Sequence, residues 1–95
     1  MTERNERDDT SVYVGRRPTT NYVMAAMLIL NQGKTCTIKA RGKAISHAVD
    51  VAEILHNRFM PDAKIKSIDI GTEVLESEDG RKSNVSSIEI VITPK

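Results

Sequence analysis

Two short clusters of cations carry the chemistry most readily read from this chain, Gly15-Arg16-Arg17-Pro18 and Arg41-Gly42-Lys43. Their setting matters more than their number. Between Asp9 and Asp50 there is not one acidic side chain, while the interval holds Arg16, Arg17, Lys34, Lys39, Arg41 and Lys43. Cations in an acid-free stretch can face an anionic partner without being neutralised from within, which is what phosphate binding requires. The formal net charge of +1 conceals this, because residues 1–10 hold two cations against four acids and the remainder twelve against nine, a split of −2 and +3. A solvated basic face is the plain alternative, and the placement of the cations on the fold has to decide between the two.

Other reactive groupings are weaker. Gly42-Lys43 is part of a nucleotide-binding loop pattern, but Ala44 stands where a hydroxyl should meet magnesium and Thr37 replaces the first glycine. Ser46, His47 and Asp50 contain triad side chains, yet helix neighbours point in different directions and no oxyanion loop follows, so they read as a polar helix surface. His47 and His56 are nine positions apart on one expected helix, about half a rotation out of phase, and do not form a metal pair within one chain. Cys36 alternates with Ile38 and reads as core. No catalytic residue, metal, cofactor or small-molecule substrate is expected.

The elements that position the cations follow from periodicity. Residues 1–10 lack apolar pattern and are expected to form a flexible arm, with a single domain over residues 11–95. Ser11 to Val14 reads as a strand, and Asn21 to Gln32 as a helix started at Pro18 and closed by Gly33. Thr35 to Ala40 alternates as a second strand, with Cys36, Ile38 and Ala40 on one face. Ala44 to Phe59 spaces Ile45, Ala48, Val49, Ala52, Leu55 and Phe59 as a second helix, ended by Pro61. Lys64 to Leu75 and Ser87 to Thr93 alternate as two further strands, joined by a polar, flexible hairpin about Asp79-Gly80. The order β-α-β-α-β-β predicts an α+β, two-layer sandwich with helices on a four-stranded mixed sheet. If the first two strands are parallel, Arg16, Arg17, Arg41 and Lys43 leave the same sheet edge together with two helix N-termini, whose backbone N–H groups favour phosphate.

Gly15-Arg16-Arg17-Pro18, Asn21-Tyr22-Val23, Leu30-Asn31-Gln32-Gly33, Ile38 to Ser46, Ala48-Val49-Asp50, Asn57-Arg58-Phe59 and the Asp79-Gly80-Arg81 hairpin resemble, in order, the archaeal Alba chromatin proteins. The resemblance covers about Val12 to Thr93. It implies the fold of the C-terminal domain of translation initiation factor three and a homodimer, or a heterodimer with a paralogue. It also implies binding to double-stranded DNA and to RNA with little sequence preference, in a cytoplasmic, chromosome-associated protein. By position it implies nucleic-acid contacts from Arg16, Arg17, Asn21, Tyr22, Arg41, Lys43, Arg81 and Lys82, with the hairpin reaching along the minor groove. Asn57, Arg58 and Phe59 would lie at contacts between neighbouring dimers and support cooperative coating. On spacing alone Phe59 equally completes the core stripe of its helix.

Alba proteins commonly carry a Lys pair, one of them an acetylation target, where this chain has Arg16 and Arg17. Arginine keeps its charge and its phosphate-matching fork but cannot be acetylated as lysine can. Glu76, Glu78 and Asp79 place like charge near the hairpin's cations and weaken that part of the expectation. An RNA-binding accessory subunit of a ribonucleoprotein and a protein-interaction adaptor remain open readings of the same basic loops. With only three aromatic residues, Tyr13, Tyr22 and Phe59, the core is small and self-association is expected to support it. The single cysteine forms no internal disulfide, which points to a reducing, intracellular setting. The longest apolar run, Tyr22 to Leu30, is under half a membrane span, and no signal-peptide core follows the charged start, so neither membrane nor export is expected.

Overall fold

Strand β2, Cys36–Arg41, organises the molecule because its alternating Cys36, Ile38 and Ala40 are all buried while Thr37 and Lys39 face the other way. The computed structural model describes residues 10–95; the expected arm over residues 1–10 lies, apart from Thr10, outside the described residues. On one side β2 pairs in parallel with β1, Ser11–Tyr13, in the register Val12 to Ile38. On the other it pairs antiparallel with β4, Lys82–Thr93, which in turn pairs antiparallel with β3, Lys64–Glu76. The order is β1-β2-β4-β3, an α+β mixed sheet as the element order predicts.

Parallel β1 and β2 require a crossover, and α1, Thr19–Asn31, supplies it. Its buried Tyr22, Val23, Ala26 and Leu30 form one stripe against the sheet. After Gln32, Gly33 donates its N–H to the Leu30 carbonyl at 2.9 Å and the chain turns into β2. The second helix is not uniform along its expected length. A 3-10 turn, Gly42–Ala44, leads into α2, Ile45–Ile54, and a π turn, Leu55–Phe59, ends it with Met60 N–H on the Leu55 carbonyl at 2.8 Å. Pro61 is the physical reason for the wide last turn. It lacks a donor and pushes Met60 out of the helical region, to φ −138° and ψ 70°.

The core lies between both helices and one sheet face, where Val51, Leu55 and Ala48 meet Ile38, Ile90 and Ile92, all at most 2% exposed. Ile68 and Ile70 stand opposite Ile90 and Ile88 in the register and so share the core face. The helices do not reach that far across the sheet, and Ile68, Ile70 and Val74 remain 58%, 83% and 60% exposed. Alternation identifies β3 correctly as a strand but does not tell which apolar face is covered.

The hairpin differs most from expectation. Pairing continues to Glu76 and Lys82, so β4 begins five residues before Ser87 and only Ser77 to Arg81 form the turn. Ladder hydrogen bonds need no apolar side chains, and Ser83, Asn84 and Ser86 give no alternation because nothing covers that ribbon. β2 ends opposite Ser87, so the hairpin runs on as a two-stranded arm past the end of β2. Five residue pairs at about 3.4 Å each carry the paired arm roughly 17 Å beyond Arg41.

Candidate nucleic-acid interface

Because β1 and β2 are parallel, the loops leaving their C-terminal ends lie side by side, and Val14 N–H donates to the Lys39 carbonyl at 2.8 Å where they part. The first loop carries Arg16 and Arg17 into α1, and the second carries Arg41, Gly42 and Lys43 into α2. Neither helix has a side-chain cap or an acidic residue in its first turn. Both therefore present an uncompensated positive end to the same edge. The antiparallel arm emerges at this edge too, since β4 overshoots β2 in that direction. An open cavity of about 530 Å³ lies between the loops and the arm, bordered by Gly15, Arg41 and Glu73 among others.

The cations here are not equivalent. Among the described residues Arg16, Arg17 and Lys43 are exposed and make no ion pair. Arg41 reaches across to the arm, where its Nη1 donates to Glu73 Oε1 at 2.7 Å. Gly42 holds the left-handed φ of +61° that lets the chain turn from Arg41 into the 3-10 turn beside Val85. Lys39 lies on the sheet face away from the helices, 5.5 Å above the Tyr13 ring and 4.0 Å from Glu89. At the tip of the arm Arg81 pairs with Asp79 at 3.5 Å, and Lys82 is exposed.

The first loop is shaped from beneath. Gly15 and Arg17 donate their N–H groups to the Tyr22 hydroxyl at 2.9 and 3.0 Å, and Tyr22 itself is only 8% exposed. Tyr22 thus enters the site as the post around which the loop bends, while Asn21 beside it is exposed. Sequence reasoning missed His47, which is half-buried, with Nδ1 donating to the Gly15 carbonyl at 3.0 Å and Nε2 bonded to Thr19 Oγ1 at 2.9 Å. The signal was present in the spacing. His47 follows Ala44 by three and precedes Val51 by four, which puts it on the inward flank of the helix.

Asn57, Arg58 and Phe59 sit at the other end of the second helix, roughly 20 Å from Lys43 at 1.5 Å per residue. The structure therefore separates them from the basic edge. Asn57 donates to Glu53 Oε1 at 3.1 Å, and Phe59 is 51% exposed rather than core. Cys36 is core as expected, its thiol pushed up to about 11 by burial. Asp79, tied to the Ser77 hydroxyl and the Arg81 N–H, is held below the ordinary carboxylate range by those bonds.

The fold and its edge define a class of small two-layer α+β proteins that present two cationic loops and a protruding two-stranded arm on one side. The family model that matches, Alba, covers residues 10–72. The chain is 54% identical over 86 residues to the DNA/RNA-binding protein Alba of Methanocella arvoryzae, covering 90% of each chain. It is 52% identical over 88 residues to DNA/RNA-binding protein Alba 1 of Archaeoglobus fulgidus, covering 92% of this chain and 98% of that one. Among solved structures, Alba from Thermoplasma volcanium superposes with a TM-score of 0.81 at 51% identity, covering 87% of this chain and 98% of that one. Trypanosoma brucei ALBA1 gives 0.73 at 30% identity, covering 90% of this chain and 68% of that one. This chain belongs to the Alba family.

Proposed function

We propose that this protein binds double-stranded DNA, and RNA as well, with little sequence preference, and that it compacts or protects nucleic acid as a dimer. The observation that carries the reading is the convergence of Arg16, Arg17 and Lys43, free of ion pairs among the described residues, with two uncapped helix N-termini at one edge. Cations and backbone N–H groups of this kind meet phosphates and not base edges, which gives affinity without sequence readout. The arm, with Arg81 and Lys82 at its tip, extends the same edge and is suited to following a groove. The names of the archaeal relatives, DNA/RNA-binding proteins, support the same reading. No helix of the described residues is long and apolar enough to cross a membrane, and association with the chromosome is the localisation this function implies.

Dimerisation is supported by the uncovered Ile68, Ile70 and Val74 on the core-face side of β3, an apolar strip that a second copy can bury. A paralogue of the same fold can stand in for that copy. Contacts between dimers are assigned to Asn57, Arg58 and Phe59, because Phe59 is a large apolar side chain exposed far from the basic edge. Phe59→Ala should leave the melting temperature and single-dimer affinity nearly unchanged and reduce cooperativity in a titration on long DNA. Loss of the folded dimer would instead assign Phe59 to internal packing.

The defining experiment is an anisotropy titration of labelled duplex DNA and duplex RNA of equal length across a salt series. Steep, sequence-indifferent salt dependence on DNA supports the architectural reading. Many-fold preference for RNA at matched salt makes the accessory subunit of a ribonucleoprotein the primary role, and no binding at low salt to either overturns both.

A further inference from the structure

We infer that His47 is the positioning residue of the Arg16–Arg17 loop, tying that loop to the second helix so that both cationic loops meet a nucleic acid as one rigid surface. The inference rests on the interface reading given above and adds to it a residue that itself need not touch phosphate.

The loop from Gly15 to Pro18 belongs to no helix or strand, and its two arginines are exposed. Besides the bond of its Pro18 carbonyl to the Asn21 N–H at 3.1 Å, three polar contacts hold it to two rings, and a fourth ties Thr19, the first residue of α1, to one of them. Tyr22 Oη receives the N–H groups of Gly15 and Arg17, while His47 takes the Gly15 carbonyl and the Thr19 hydroxyl, one at each ring nitrogen. The rings meet edge to face, their centroids 5.5 Å apart at 87°, so each holds the other in place. A carbonyl oxygen can only accept, which puts a proton on His47 Nδ1, while Nε2 is bonded to the Thr19 hydroxyl.

Tyr22 lies on α1, the helix that the loop itself enters, so its two bonds are local. His47 lies on α2 and is separated from Gly15 by 32 positions. It is therefore the side chain that fixes the first loop relative to Lys43, four residues before it in the 3-10 turn that leads into α2. Two phosphate-binding loops with a fixed spacing engage successive phosphates without losing loop freedom on binding, and ordering such groups otherwise costs affinity. Removing His47 leaves every cation in place but frees the hinge at Gly15.

The test uses His47→Ala and His47→Asn in the full chain, each alone and combined with Arg16→Ala plus Arg17→Ala. The Asn amide can replace the Nδ1–H donation to the Gly15 carbonyl. On labelled duplex DNA across a salt series, His47→Ala should weaken binding about three- to tenfold at every salt, the size of ordering one or two side chains, with the slope against salt unchanged. In the background lacking both arginines it should cost no more than a factor of about two, because the loop it positions no longer carries charge. His47→Asn should recover most of the loss. An equal loss in both backgrounds, or a shallower salt slope, would overturn the inference and make His47 a direct contact or a general stability residue.

A second readout needs no nucleic acid. Hydrogen exchange at the Gly15 and Arg17 amides should accelerate at least threefold in His47→Ala and return towards the native rate in His47→Asn, with exchange in β2 and β4 unchanged. Unaltered exchange at those two amides would sink the positioning role. If replacing the arginines leaves binding intact while these amides still respond to His47, the interface reading fails and the loop clamp stands.

Discussion

The body loop and the hairpin arm both offer arginines at the same edge, yet they hold them in opposite ways. Arg16 and Arg17 sit on a backbone pinned by Tyr22 and His47, and their own guanidinium groups have no carboxylate partner among the described residues. Where the arm is involved, the arginines are already engaged, Arg41 with Glu73 at its base and Arg81 with Asp79 at its tip, and among the described residues only Lys82 of the tip makes no ion pair. The loop is thus set in shape and unsatisfied in charge, whereas the arm's arginine pairs must be broken before a phosphate can replace the carboxylate. A cation count along the chain cannot reveal this difference, because it depends on what faces each cation.

The most demanding way to break the comparison is to remove the free pair. Arg16→Ala plus Arg17→Ala should weaken duplex binding about tenfold and reduce the slope of log affinity against log salt by about 2, equally for unrelated sequences, as salt-series anisotropy would show. If Arg41→Ala costs as much as that pair, the distinction between free and engaged cations has no functional meaning.

Gly42→Ala probes the joint between the two regions. The new methyl would sit 3.5 Å from Val85 Cγ1, an ordinary contact, but φ of +61° disfavours any residue with a Cβ. About 1 kcal/mol of stability should be lost, read as a fall of several degrees in melting temperature. Glu73→Gln sharpens the comparison from the other side. Freed from its carboxylate, Arg41 should tighten DNA binding up to about fivefold and steepen the salt slope by up to about 1, with stability changed by less than about 0.5 kcal/mol, since the pair is half-exposed.

The smallest effect lies at the tip. Hydrogen bonds from Ser77 and the Arg81 N–H hold Asp79 below its ordinary value, so the folded turn prefers the ionised form. That preference is fully present above the unfolded carboxylate range and disappears as pH falls through the folded value. Acidification below pH about 4 should therefore loosen the turn from Ser77 to Arg81 while the core strands stay intact, visible as chemical-shift changes confined to those residues.

Much of this arrangement is legible in the residues. The successive β-α units place Arg16, Arg17, Arg41 and Lys43 at one edge once β1 and β2 are parallel, and Cys36, Ile38 and Ala40 mark the buried face of β2. What sequence could not convey has physical causes. The Arg41–Glu73 pair joins positions 32 apart, which only the register of β4 against both neighbours brings together. Ile68 and Ile70 alternate like core residues, because alternation records a face of the strand and not whether a helix extends over it. His47 was hidden by its chemistry, a polar side chain on an inward flank where periodicity looks for apolar ones.

The buried thiol at the start of β2 has a practical corollary for watching the arm move. With Cys36 fully covered and its pKa raised to about 11, only about one molecule in ten thousand carries the thiolate at neutral pH. The native protein is in effect blind to thiol-directed reagents. One cysteine introduced at exposed Ser83 could then carry a fluorophore alone, with Cys36 left in place, and report the arm's distance from a labelled duplex.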